Sequence, residues 1–132
     1  MSFKAPTCFV GLGAMGAGMA ANLAKAGVPL TVYDLRPEAM QALVQYGAKP
    51  SNSLAEAAKD VEVLVLMVIN EAQAKQVLFE QGAMECTKKD ATIVLMSTIA
   101  PAASTEIGKL VEASGRQYVD APVSGGMVGA TG

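Results

Sequence analysis

Histidine and tryptophan are both absent from the 132 residues. Without histidine, the commonest acid–base group and metal ligand at neutral pH is missing. The two cysteines, Cys8 and Cys86, are too few and too far apart in sequence for a disulfide framework or a metal cluster. No basic run occurs, the formal net charge is −2 and the isoelectric point is about 5.0, which argues against a nucleic-acid surface. The longest apolar run, around residues 63–69, is far short of the ~20 residues that span a membrane. Residues 1–7 lack the apolar segment of a secretory signal. These absences leave small-molecule chemistry in the reduced cytoplasm, without metal, nucleic acid or membrane. What is present suits a folded domain: 52% of residues are hydrophobic, and the length fits one domain with one core.

Strand-like apolar stretches alternate with helix-like ones along the whole chain, the pattern of βαβ units and a parallel sheet. Strands are predicted at residues 7–12, 30–34, 61–69, 92–96 and 117–120, with a weaker one at 48–50. The run 61–69 (VEVLVLMVI) is almost wholly apolar, as a central strand covered on both faces requires. Helices are predicted at residues 14–26, stopped by Gly27, and from Pro37 to a stop at Gly47. Ser53-Leu54-Ala55-Glu56 reads as a capping box. Further helices are predicted at 71–79 and 101–113, the latter stopped by Gly115. Six strands with crossover helices imply a doubly wound α/β fold, Rossmann-like, in three layers, with strand order 3-2-1-4-5-6.

Gly11-Leu12-Gly13-Ala14-Met15-Gly16 is a G-x-G-x-x-G placed directly after the first strand. Gly11 permits a tight turn out of the strand. Gly13 lets a pyrophosphate approach the backbone and the helix N-terminus. Gly16, with the small Ala20 and Ala24, lets the helix pack closely. Asp34 ends the second strand about 20 residues further on, where a carboxylate accepts hydrogen bonds from ribose hydroxyls and repels a 2′-phosphate. That arrangement predicts a dinucleotide site that prefers NAD to NADP. Leu35 and Arg36 follow Asp34, and Arg36 is the complication: it can pair with a 2′-phosphate, lie along the adenine, or be a solvated turn residue.

Two further loops leave carboxyl ends of strands, where open α/β sheets bind ligands. Val68-Ile69-Asn70 follows the fourth strand, and Met96-Ser97-Thr98 follows the fifth. Val68, Asn70 and Thr98 are candidates for the nicotinamide side of the cleft. Asn70 reads equally as a helix N-cap, and Ser97 and Thr98 as caps of the helix that begins at Pro101. Residues 120–126 (DAPVSGG) read by themselves as a strand end entering a turn, although Ser124, Gly125 and Gly126 can also form an anion-binding nest.

Residues 9–27 (FVGLGAMGAGMAANLAKAG) resemble the cofactor fingerprint of the β-hydroxyacid dehydrogenases. That group includes 3-hydroxyisobutyrate, tartronate semialdehyde and threonate enzymes and, more distantly, 6-phosphogluconate dehydrogenase. Residues 120–126 match the family's substrate-binding motif word for word, and Ser97-Thr98-Ile99-Ala100-Pro101 is of the family type. The resemblance implies hydride transfer between a nicotinamide cofactor and a small 3-hydroxy acid, with Ser124, Gly125 and Gly126 on the substrate carboxylate and hydroxyl. NADP-using members commonly carry an Asn-Arg pair where this chain has Asp34-Leu35. Residues 68–79 (VINEAQAKQVLF) look somewhat more like the threonate enzymes.

The resemblance also implies an acid–base lysine on a helix after the nucleotide-binding domain, and none of the eight lysines here matches it by motif. That lysine is therefore expected beyond Gly132. With it would come the last strands and a helical C-terminal domain through which the whole protein would form a homo-oligomer. Residues 1–132 are thus expected to form one dinucleotide-binding domain, incomplete at its C-terminal end, that binds cofactor with little turnover alone. A nucleotide-binding module without catalysis and a related imine or semialdehyde reductase are the alternatives.

Overall fold

The computed structural model of the chain describes residues 5–68, 70–97 and 99–121. Six parallel strands form one sheet in the order β3-β2-β1-β4-β5-β6, as the alternating pattern predicts. They are β1 (Thr7–Val10), β2 (Leu30–Tyr33), β3 (Lys49–Pro50), β4 (Val63–Leu66), β5 (Thr92–Leu95) and β6 (Gln117–Asp120). β1 lies between β2 and β4 in full register, so that Phe9 stands opposite both Val32 and Val65. The strand order reverses at β1, and at such a point a crevice opens beyond the carboxyl ends of the strands.

Helices α1 (Ala14–Lys25) and α2 (Pro37–Gln41) cover one face of the sheet. Helices α3 (Leu54–Ala58), α4 (Glu71–Lys75), α5 (Ala83–Cys86) and α6 (Pro101–Ala113) cover the other. Strand side chains alternate between the two cores with the period of two that pleating imposes. Cys8, Val10, Leu64, Leu66, Ile93 and Leu95 join the α3–α6 side, whereas Phe9, Val32 and Val65 join the α1–α2 side. Leu64 and Ile93 are fully buried, and truncating either to alanine should cost about 2–5 kcal/mol. Among the described residues, no helix is long and apolar enough to cross a membrane.

Several boundaries differ from expectation, each for a physical reason. The first strand stops at Val10, not residue 12, because Gly11 adopts φ +99° and breaks the extended run. The apolar run 61–69 yields only four strand residues, since its partner β1 has no more to offer. Met67 N–H still reaches Val10 O at 2.8 Å, but Val68 N–H turns instead to Ser97 Oγ at 2.8 Å. The helix begun at Pro37 ends at Gln41 and tightens into a 3₁₀ turn, Val44–Tyr46, before Gly47. Met40 and Leu43 are both buried in the core on the α1–α2 side, on either side of the point where the winding changes. The predicted helix 71–79 changes winding after Lys75 and continues as a π turn, Gln76–Glu80, closed by Gln81 N–H on Gln76 O at 2.7 Å. Helix α5 has no counterpart among the predicted elements. The capping contact at Ser53 is present, its Oγ accepting from Glu56 N–H at 3.1 Å.

Candidate functional site

The turn after β1 is built by two interlocked glycines. A Cβ on Gly11 would stand 2.0 Å from the Met67 carbonyl oxygen, so no side chain fits between the ends of β1 and β4. A Cβ on Gly16 would stand 2.1 Å from the Gly11 carbonyl oxygen, which lets α1 sit directly on the turn. Gly13 is different. Its φ of −65° suits any residue, and a Cβ there would meet nothing within 4 Å. The fold itself has no steric need for glycine at this position; the space in front of it belongs to the crevice. Gly13 is also the N-cap of α1, where no side chain caps the helix and no acidic residue occupies the first turn. The first amides of a 12-residue helix thus present an uncapped positive end, the usual seat of a phosphate or carboxylate.

Asp34 crosses from the end of β2 to this turn. Its Oδ2 accepts the Leu12 N–H at 2.7 Å, and its Oδ1 accepts the Arg36 N–H at 2.9 Å and Arg36 Nε at 3.1 Å. Burial pulls the Asp34 carboxyl upward, but the Arg36 side chain, the two amides and the guanidinium charge outweigh it and hold the pKa below the usual 3.8. Asp34 is therefore ionised at neutral pH, at the mouth of the crevice.

The crevice has a volume of about 570 Å³, within the ~300–1,000 Å³ typical of small-molecule sites. Of the positions singled out for a cofactor, Gly11, Leu12, Gly13, Asp34, Leu35, Arg36 and Val68 border it. Leu35 is 86% exposed, an apolar side chain with little of the protein against it. Met15 and Gly16 lie within α1 and do not line the crevice; they bear on it through the helix N-terminus. Asn70 does not line it either. It is exposed and caps α4, its Oδ1 accepting from Gln73 N–H at 2.9 Å, so the capping reading describes its observed contact. Thr98, Ser124, Gly125 and Gly126 lie outside the described residues.

The opposite wall carries residues that the motifs did not indicate. Gln73, Gln76 and Val77 share one face of α4 and its π continuation, and Gln81 follows at the end. Their spacing of three and four was the available signal, but polar residues at that spacing ordinarily mark a solvated helix face. Ser97 is 3% exposed, and the hydrogen bond it accepts from Val68 N–H ties the loop after β5 to the loop after β4. At the end of β6, Ser104 Oγ donates to Asp120 Oδ2 at 2.7 Å and lies 2.8 Å from the Tyr118 hydroxyl, which must then be the donor of that pair. Burial, reinforced by the Asp120 charge, raises the Tyr118 pKa. Gly108 leaves room for the ring, since a Cβ there would stand 2.8 Å from Tyr118 Cδ2. Among the described residues no metal-binding group of His, Cys, Asp or Glu gathers.

Comparison with known proteins agrees with this geometry. Over 128 residues the chain is 39% identical to mitochondrial 3-hydroxyisobutyrate dehydrogenase of Mus musculus, covering 96% of this chain and 38% of that protein. It is 40% identical over 120 residues to 3-sulfolactaldehyde reductase of Escherichia coli (strain K12), covering 90% and 40%. The chain thus spans about two fifths of the length of these relatives. Among solved structures, 3-hydroxyisobutyrate dehydrogenase of Mycobacterium tuberculosis with L-serine matches at a TM-score of 0.90 and 30% identity, over 97% of this chain and 43% of that one. The sequence profile described as the NAD binding domain of 6-phosphogluconate dehydrogenase matches residues 7–132, and the chain belongs to that family.

Proposed function

We propose that residues 1–132 form the cofactor domain of an oxidoreductase that transfers a hydride between a nicotinamide cofactor and a small 3-hydroxy acid. The observation that carries this reading is the pairing of an uncapped α1 N-terminus behind Gly13 with an ionised Asp34 at the same crevice. The amides of Gly13, Ala14, Met15 and Gly16 receive the pyrophosphate, on a turn that the Leu12 N–H ties to Asp34. Asp34 accepts the adenosine ribose hydroxyls, which favours NAD over NADP, and Leu35 and Arg36 flank the adenosine. Val68 and Thr98 border the nicotinamide half, with Ser97 fixing the Val68 amide in place and Asn70 capping the adjoining helix α4. The bound cofactor supplies the hydride acceptor or donor. Ser124, Gly125 and Gly126 hold the carboxylate of the substrate, a role supported by the match of residues 120–126 to the family motif. The names of the two relatives support a small anionic substrate, and residues 68–79 favour a threonate-like acid. Two free cysteines suit a reducing, cytoplasmic setting.

The test has two stages. Titration of the chain with NADH, followed by its fluorescence, should give saturable binding at one site. The whole protein should then reduce NAD with at least one of 3-hydroxyisobutyrate, threonate or a related hydroxy acid. Binding without turnover of any of these would make it a nucleotide-binding module instead. No binding of NADH or NADPH would overturn the reading altogether.

A further inference from the structure

The two walls of the crevice differ in chemistry. On the side of β2, Leu35 is 86% exposed, an apolar side chain that the fold leaves uncovered. On the opposite side Val77 offers a second apolar surface, half-buried, with Gln76 before it and Gln81 one turn on. Gln76 and Gln81 are exposed, and among the described residues neither side chain carries a hydrogen bond. The winding ties these two together. The π turn Gln76–Glu80 closes with Gln81 N–H on Gln76 O at 2.7 Å, so one main-chain bond joins two residues that both border the crevice. Such turns are rare in helices and frequent at functional sites.

Apolar walls with a few placed polar groups suit a flat ligand whose faces are apolar and whose edge is polar. We propose that the adenine base lies between Leu35 and Val77, and that Gln76, with Gln81 beside it, is a specificity-determining residue that reads the amino-bearing edge of the ring. The proposal rests on the reading of the crevice as a dinucleotide site and says what the glutamine wall recognises there. The amino group of adenine is a donor next to a ring nitrogen that only accepts. The Gln76 carboxamide offers an acceptor and a donor at matching spacing, so the two can pair through a double hydrogen bond, as glutamine does with adenine in nucleic acids. The competing role for Gln76 and Gln81 is that of an ordinary solvated helix face. A solvated face would be indifferent to the edge of the base.

The full chain and its Gln76→Leu and Leu35→Ala variants are titrated by calorimetry with NAD and with etheno-NAD. In etheno-NAD a two-carbon bridge ties the adenine amino nitrogen to the neighbouring ring nitrogen, which removes the donor and keeps the ring flat. The unmodified chain should bind NAD about tenfold more tightly than etheno-NAD, the discrimination expected of one double hydrogen bond. Gln76→Leu keeps the side-chain length at an exposed position; it should weaken NAD by about tenfold and leave etheno-NAD within about twofold. Leu35→Ala should weaken both ligands alike, because Leu35 covers the face of the ring and not its edge. A preference for NAD that survives Gln76→Leu, or no preference in the unmodified chain, would overturn the proposal while leaving the dinucleotide crevice standing. A loss confined to one ligand in Leu35→Ala, or no loss there, would overturn the placement of the ring. Failure of the unmodified chain to bind NAD at all would instead overturn the reading of the crevice, and the proposal with it.

Discussion

Gly16 sits so close to Gly11 that a β-carbon on it would stand 2.1 Å from the Gly11 carbonyl oxygen, while Gly13 between them has no neighbour within 4 Å of the same point. Two of the motif's glycines are thus demanded by the fold, and the third only by what enters the crevice. Gly16→Ala should destabilise the chain by roughly 1–3 kcal/mol, because backbone must move to admit one methyl group. Gly13→Ala should stay within about 1 kcal/mol of the parent, the ordinary cost of alanine at an N-cap. It should nonetheless weaken NADH binding by about tenfold or more, a loss near 1.4 kcal/mol. Urea unfolding and NADH titration of the two variants separate these effects.

Acid should loosen the grip of Asp34 on the glycine turn. In the unfolded chain the carboxyl has its ordinary pKa of 3.8, and in the folded chain a lower one. The stabilisation it provides is therefore fully present above 3.8 and is lost as pH falls through the folded value. Asp34→Asn should cost about 1–3 kcal/mol at neutral pH, as for a hydrogen-bonded charged group. It should also flatten the dependence of thermal stability on pH below about 4, where the parent curve still falls.

Ser97 is the link between the loops after β4 and β5. Ser97→Ala would leave the Val68 N–H without its 2.8 Å acceptor in a partly buried position, a loss of about 1–2 kcal/mol. Because Val68 borders the crevice, NADH affinity should fall as well. Ser97→Thr, which keeps the hydroxyl, should recover more of the affinity than Ser97→Ala.

The two thiols should differ sharply in reactivity. Cys8 is fully buried in β1, and burial pushes its thiol pKa up to about 12. Cys86 is only partly buried. A thiol reagent at mildly alkaline pH should modify one cysteine in the folded chain and both in denaturant, since the thiolate is the reacting species. Prompt modification of Cys8 in the folded chain would contradict the placement of β1 at the centre of the sheet.

The sheet order was legible because its signals are local and repeated. Continuous apolar strands, Pro37 and Pro101 at helix starts, and glycines after α1 and α6 all belong to single segments. Asp34 was legible for the same reason, as an acid at the end of a strand. Its contact with Leu12 was not, because it joins residues 22 apart and no local pattern encodes it. The glutamine wall escaped notice because Gln73, Gln76 and Gln81 resemble a solvated helix face, and the π turn that carries them on has ordinary composition. Helix α5 is four residues long and opens at Gly82 with φ +76° and no polar cap, so nothing in residues 80–91 announces it.

The most direct test of the dinucleotide crevice is to titrate NAD into isotopically labelled chain and follow its backbone amide resonances. The amides of Gly11, Leu12, Gly13, Leu35, Arg36 and Val68 should shift together and saturate. Those of Thr87, Lys88 and Arg116, at the amino ends of β5 and β6, should stay still. Shifts confined to the amino ends of the strands, or none at saturating NAD, would contradict the account.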